Sequence, residues 1–146
     1  MQPSRFFTSD EKERINLAIR DAELNTSGEI RVHLERRCKG EALDRAAYLF
    51  GKLGMHKTKM RNGVLFYLAA DDHKFAILGD AGINSLTPED FWDRIRDKVM
   101  EEFREERFVS GLEAGIRMAG EKLKAYFPYK DGDINELPDE ISFGDQ

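Results

Sequence analysis

The sequence has little cysteine and little proline, and it contains no hydrophobic run of the ~18 residues that a membrane span needs. The single cysteine, Cys38, excludes an internal disulfide and a zinc site built from several thiolates. The amino terminus, from Met1 to Phe7, has no apolar segment typical of a secretion signal. We therefore expect a cytoplasmic protein with no membrane partner.

What the sequence does contain indicates one folded domain. It has 146 residues, of which 40% are hydrophobic and 35% are charged, and ten are phenylalanine. This length and composition favour a globular domain with a core of its own over a disordered chain. The formal net charge is -5, which argues against nucleic acid as a partner.

The hydrophobic periodicity predicts an α/β fold. A first helix begins at Thr8, where Thr8 and Glu11 match a capping box. The predicted strands are Glu29–Glu35, Val64–Ala69 and Phe75–Leu78. A helix between the first two strands makes them parallel, and a short turn makes the third antiparallel. The predicted architecture is a three-layer αβα sandwich with a small mixed β-sheet.

The remaining elements complete this prediction. The helix between the first two strands should cover Ala42 to Leu53, with a glycine-punctuated loop over Gly79–Leu86 and a last helix from Phe108 to Tyr126. The apolar side of the Ala42–Leu53 helix should consist of Leu43, Ala46, Ala47 and Phe50. Another helix should begin at a Thr87 cap, with Pro88 in its first turn.

Two parts of the chain differ in character. Residues 1–128 form the predicted domain, and residues 129–146 form an acidic tail. The tail should be ordered only where one of its apolar side chains docks on the domain; these are Ile134, Leu137, Ile141 and Phe143.

The predicted topology brings polar side chains from distant segments to one edge of the sheet. The two parallel strands begin at this edge, the antiparallel strand ends there, and the next helix begins there. The residues that converge are Glu29, Asp80, Asn84, Asp90 and Asp93. Carboxylate and amide oxygens are the ligands that calcium and magnesium prefer. The alternative is that these acids only stabilise a helix start and a turn.

No other motif points to catalysis. The three histidines, His33, His56 and His73, lie on separate segments without a metal-binding helical spacing, and we interpret each as a surface residue. The sequence has no nucleophile elbow and no phosphate-binding glycine loop with a lysine. The catalytic residues, if there are any, are therefore unknown at this stage.

Four segments together resemble the TPM-domain family. They are Thr26-Ser27-Gly28-Glu29-Ile30-Arg31-Val32, Arg61-Asn62-Gly63-Val64-Leu65, Gly79-Asp80-Ala81-Gly82-Ile83 and Phe108-Val109-Ser110-Gly111-Leu112-Glu113-Ala114-Gly115-Ile116. The resemblance extends from about Thr8 to Pro128. It implies an αβα sandwich, and it implies divalent cations at loops on one edge of the sheet.

The resemblance also implies a range of functions. Relatives include photosystem repair proteins of the thylakoid lumen and a receptor-associated membrane protein, and some have been assigned acid phosphatase activity. This sequence differs because it looks like a stand-alone cytoplasmic type, and because a neutral Asn84 stands where the family has an acid. The tail has no counterpart in the family pattern.

Two functions remain open. The first is a module that binds calcium or magnesium, orders its loops and docks an unidentified protein partner. The second is a metal-dependent acid phosphatase, in which Arg61 and Lys59 would hold the phosphate. We favour the binding module because no general base is evident beside the acidic cluster.

Overall fold

The computed structural model describes residues 5–129 and 141–144. It contains five helices, a 3₁₀ turn at Met55–Lys57 and four strands over this part of the chain. In chain order they are α1 (Ser9–Glu23), β1 (Glu29–Glu35), α2 (Ala42–Lys52), β2 (Gly63–Ala69), β3 (Lys74–Gly79), α3 (Ala81–Asn84), α4 (Asp93–Arg104), α5 (Phe108–Tyr126) and β4 (Ser142–Phe143). None of the described helices combines the length and apolarity needed to cross a bilayer.

The strands form one mixed sheet in the order β3-β2-β1-β4. Strands β1 and β2 are parallel, with Glu29 opposite Gly63, and β3 is antiparallel to β2. The predicted directions of the first three strands are therefore confirmed. The fourth strand comes from the tail and pairs in parallel with β1, with Ser142 opposite His33.

Helices cover both faces of the sheet, as the αβα prediction requires. Helices α1, α4 and α5 share one core with the β1 residues Ile30, Val32 and Leu34. Helix α2 packs on the opposite face, against the alternate residues of β2 such as Leu65 and Tyr67. Every residue of β2 is buried, because the strand has a helical layer on each side.

The helix ends follow from local chemistry. Thr8 caps α1: its hydroxyl accepts the Glu11 N–H at 3.1 Å, and the Glu11 carboxylate accepts the Thr8 N–H at 2.9 Å. Gly54 follows α2 with a φ of 71°, a backbone conformation that glycine adopts without strain.

Two expectations about the segment between β3 and α4 were wrong. The predicted glycine loop contains the short helix α3, with Asp80 as its N-cap. The predicted Thr87 cap does not exist, because the Thr87 hydroxyl donates backward to the Ile83 carbonyl at 2.9 Å. The chain then turns, with the rings of Phe91 and Trp92 packed edge to face at 4.7 Å, and α4 begins only at Asp93.

The buried face of α2 was predicted correctly at Ala46 and Phe50 and incorrectly at Leu43 and Ala47. Leu43 is 53% exposed and Ala47 is exposed, whereas Leu49 is buried. The sequence allows two overlapping apolar stripes along this helix, and packing on β2 and β3 selects the one that contains Ala46, Leu49 and Phe50.

The tail is partly integrated into the domain. Ile141 is 8% exposed and belongs to the core, and the following residues form β4. Ile141 is one of the four apolar residues predicted as possible anchors of the tail. Ile134 and Leu137 lie outside the described residues.

Candidate metal site at one edge of the sheet

The edge formed by the starts of β1 and β2 and the end of β3 carries two buried carboxylates. Glu29 is paired with Gly63 across the parallel ladder, and the Asp80 N–H donates to the Gly63 carbonyl at 3.0 Å. The two acids therefore lie in one row across the sheet, separated by a residue without a side chain. Glu29 is 3% exposed and Asp80 is 6% exposed.

The Asp80 carboxylate accepts three hydrogen bonds. Arg61 donates through Nε and Nη2, at 2.8 Å each, and the Ala81 N–H donates at 2.7 Å as the first turn of α3. The hydrogen bonds and charge of Asp80 raise the pKa of Arg61. The Arg61 side chain is 49% exposed, so the pair has one buried and one solvated member. Arg61 has a φ of 52°, which is unusual for a residue with a side chain.

The other predicted ligands have different surroundings. Asn84 is exposed, and its Nδ2 donates to the Gly79 carbonyl at 3.1 Å. Asp90 lies exposed in the turn before α4, and the exposed Asp93 pairs with Arg96 one helical turn later. Over residues 5–129 and 141–144, no three His, Cys, Asp or Glu side chains form a group that could hold a metal ion.

The possible ligand atoms at this edge are oxygens, the type of ligand atom that calcium and magnesium prefer. Their arrangement does not form a finished cage, since Asp80 is engaged by Arg61 and by the start of α3. The residues thus fit a cation only if Arg61 leaves the Asp80 carboxylate.

Glycine is required where the Gly79–Ile83 segment meets the loop before β2. The Gly82 N–H donates to the Arg61 carbonyl at 2.8 Å. A β-carbon on Gly82 would lie 2.1 Å from the Met60 carbonyl oxygen and 2.6 Å from that of Arg61. This contact between two backbones holds Asp80 and Arg61 side by side.

The loop before β2 is also tied to the loop before β1. Asn62 is 1% exposed, and its Nδ2 donates to the Ser27 hydroxyl at 3.3 Å. The Glu29 N–H donates to the Asn62 carbonyl at 3.3 Å. The segments quoted above from Thr26, from Arg61 and from Gly79 therefore meet at this one edge.

The family to which these three segments point is also found by comparison with known protein families. A family model described as the TPM domain matches residues 1–122. The chain belongs to the TPM-domain family. No curated protein matches the sequence significantly.

Solved structures of similar fold support this membership. The BA42 protein from the psychrophilic bacterium Bizionia argentinensis is 49% identical, covers 96% of this chain and 97% of its own, and superposes with a TM-score of 0.90. The N-terminal domain of a P. gingivalis protein is 21% identical with a TM-score of 0.68, over 85% of this chain and 80% of its own. The N-terminal domain of protein cg2496 from Corynebacterium glutamicum is 14% identical with a TM-score of 0.65, over 93% and 80% of the two chains. The last two show a common fold.

This TPM domain has a second polar cluster, on the half of β1 away from the Asp80 edge, that the sequence analysis missed. Arg45 of α2 donates to Glu35 through Nη2 at 2.5 Å and through Nε, and Tyr67 Oη donates to Glu35 Oε2 at 2.7 Å. His33 lies two residues before Glu35, and its Nδ1 is 2.7 Å from the Ser142 hydroxyl. The prediction of His33 as a surface residue was wrong, because it is 4% exposed.

Burial and hydrogen bonding act against each other in this cluster. Burial alone would raise the pKa of Glu35, but hydrogen bonds from Arg45 and Tyr67 outweigh it, and the pKa is lowered. Burial and the bond to Glu35 raise the pKa of Tyr67, so the phenol stays protonated. The only hint in the sequence was the run of polar residues at alternate positions of the first strand, which is equally typical of an exposed face.

Proposed function

We propose that this TPM domain binds a divalent cation, calcium or magnesium, at the β1–β2–β3 edge. The observation that supports the proposal most is the row of two buried carboxylates, Glu29 and Asp80, on either side of Gly63. Buried carboxylates need a cationic or hydrogen-bonding partner, and calcium accepts carboxylate, amide and carbonyl oxygens together with water.

The cation would take the place of Arg61 on Asp80. The buried Asp80 carboxylate would keep a cationic partner in this exchange, and the half-exposed Arg61 guanidinium would turn to solvent. Asn84, one turn after Asp80, would add its amide oxygen, and Asp90 and Asp93 would join only if the turn before α4 moved closer. Binding would then order the segment between β3 and α4 and present it to a protein partner.

Thermal unfolding with increasing calcium or magnesium tests this proposal. Stability should rise by about 2.7 kcal/mol at a hundredfold excess of cation over Kd. Asp80→Asn should lose this gain, because an amide still caps α3 but carries no charge. Asp71→Asn is the matched control, since Asp71 is a half-exposed acid that pairs with Arg36 at the opposite end of the sheet. An unmutated protein that gains no stability, or an equal loss in both variants, would contradict the proposal.

The alternative function, a metal-dependent phosphatase, is favoured by one observation. The half-exposed Arg61 guanidinium lies beside Asp80, so once a cation displaces it from that carboxylate its donors can hold a phosphate next to the ion. A bound cation would polarise the phosphoryl oxygen and activate a water.

Arg61→Gln separates the two functions. If Arg61 competes with the cation, the variant should bind calcium more tightly than the unmutated protein. If Arg61 also holds a phosphate, the variant should lose hydrolysis of p-nitrophenyl phosphate even with calcium or magnesium bound. No hydrolysis by the unmutated protein in either metal would exclude the phosphatase.

A further inference from the structure

The C-terminal strand β4 is a two-residue strand at the edge of the sheet. Its two residues pair with His33 and Leu34, and the Gly144 N–H donates to the Leu34 carbonyl at 2.9 Å. Ile141 is its apolar anchor, and the Ile141 N–H donates to Asn16 Oδ1 at 3.3 Å. Because β4 is two residues long and pairs with β1, a change at one buried side chain beneath it can shift its docking equilibrium.

That side chain is His33. Its side chain is 5% exposed and its ring lies parallel to Tyr67, with an interplanar angle of 12°. Nδ1 is hydrogen-bonded to the Ser142 hydroxyl of β4. Nε2 is buried and has no hydrogen-bond partner among the described residues, and its nearest acid is Glu35 Oε1 at 3.4 Å. In the neutral ring, a proton on Nδ1 can be donated to the Ser142 hydroxyl of β4. Protonation of the ring would add a second proton on the buried Nε2.

Burial and two arginines oppose this second proton, whereas the Glu35 carboxylate favours it. The titratable or charged groups facing it are Glu35 and Arg31 from β1, Arg45 from α2 and Tyr67 from β2, and β4 contributes the neutral Ser142 hydroxyl. The carboxylate of Glu35 is already shared between Arg45 and Tyr67. Burial therefore lowers the pKa of His33, although the charge of Glu35 acts in the other direction.

We propose that His33 is a proton-sensitive latch: in its neutral form it holds β4 on the edge of β1, and its protonation releases β4. Release gives water access to the imidazolium and relieves the cost of a buried charge. It also leaves the β1 edge with unpaired N–H and C=O groups, a surface to which another extended strand can pair.

The direction of the pH effect follows from linkage. With β4 released, His33 has an ordinary pKa of about 6.5. With β4 docked its pKa is lower, so the released state binds more protons. Docking is therefore strongest above about pH 6.5, and its equilibrium constant falls up to tenfold per pH unit below that, until the docked pKa is reached.

Amide hydrogen exchange by NMR between pH 7.5 and pH 5 tests the latch in the full chain. Protection of the Gly144 amide, corrected for intrinsic exchange, should fall up to tenfold per pH unit below about pH 6.5, while that of Phe66 in β2 should stay constant. His33→Gln, which is neutral at every pH and retains a hydrogen-bonding side chain, should remove this dependence. The matched control is His56→Gln, because His56 is exposed on the turn before β2 and should leave it unchanged.

A second variant keeps the test independent of the folding of His33→Gln. Ser142→Ala removes the side-chain bond to the ring and loosens β4, so the pKa of His33, followed through its ring resonances, should rise toward its ordinary value. The latch is overturned if Gly144 protection is the same at both ends of the pH range. It is also overturned if His33→Gln follows the unmutated protein, or if Ser142→Ala leaves the His33 pKa where it was.

Discussion

Gly82 shows how a single hydrogen atom in place of a methyl group positions the Asp80 edge. The atoms nearest to its missing side chain are backbone carbonyl oxygens of Met60 and Arg61, which cannot rotate away. We expect Gly82→Ala to lower the free energy of unfolding by about 1–3 kcal/mol, the usual cost of overpacking. Gly51→Ala is the control: nothing lies within 4 Å of that position, in α2, and alanine there should stabilise by about 0.5–1 kcal/mol. Urea unfolding of both variants measures the difference, and equal stabilities would contradict this account.

Glu35 should control part of the stability of the protein toward acid. Its pKa is lowered in the folded state, so its contribution is present above its unfolded pKa and is lost as the pH falls through the folded value. Glu35→Gln should cost about 1–2 kcal/mol at pH 7, because Arg45 and Tyr67 lose a charged acceptor. The variant should also lose less stability than the unmutated protein below about pH 4.5. Urea unfolding at pH 7 and pH 3.5 measures both effects, and the 57%-exposed Glu13, changed to Gln, should behave like the unmutated protein.

The contrast between Asp80 and His33 shows what could be predicted for single residues. The position of Asp80 follows from strand directions, which the sequence pattern reveals, so its place in a row with Glu29 could be anticipated. Its engagement by Arg61 depends on side-chain geometry that no spacing encodes. His33 was misjudged because a strand from the tail covers it, and an edge strand of two residues has no recognisable pattern.

The tail strand should contribute to stability without being required for folding. The described residues of the two main cores lie almost entirely within residues 5–129, while Ile141 enters one of them and Phe143 packs against it. We expect a chain that ends at Tyr129 to unfold cooperatively, with a free energy of unfolding lower by about 2 kcal/mol, the value of one buried isoleucine. Urea unfolding measures this loss, and Ile141→Ala should show most of it. Failure of the shortened chain to fold would contradict the assignment of the domain to residues 1–128.

Helices and strands with strong periodicity were predicted well, and weak boundaries were not. Strand β1 and helix α5 begin and end where the pattern placed them. The start of α4 was displaced because the Thr87 hydroxyl has two possible partners, a helix ahead of it and a carbonyl behind it. The sequence is compatible with either partner, and the packing of Phe91 on Trp92 favours the bond to the carbonyl behind Thr87.

For the whole molecule, the αβα layers could be derived from element order alone. A crossover helix makes two strands parallel and a short turn makes the next antiparallel, so three of the four strand positions follow from general rules. The predicted convergence of Asp90 and Asp93 with the other acids depended on a further assumption. It assumed a helix start at Thr87, and the longer turn that replaces it leaves both residues on an exposed segment.

The packing of Trp92 has a spectroscopic consequence. It is the only tryptophan of the chain, it is 8% exposed, and a β-carbon on Gly79 would lie 3.0 Å from its Cζ2. Its Nε1 is buried without a hydrogen-bond partner among the described residues, so the indole has an apolar environment typical of short-wavelength emission. Because Gly79 immediately precedes Asp80, the intrinsic fluorescence of this one ring reports on the proposed cation site without an added dye.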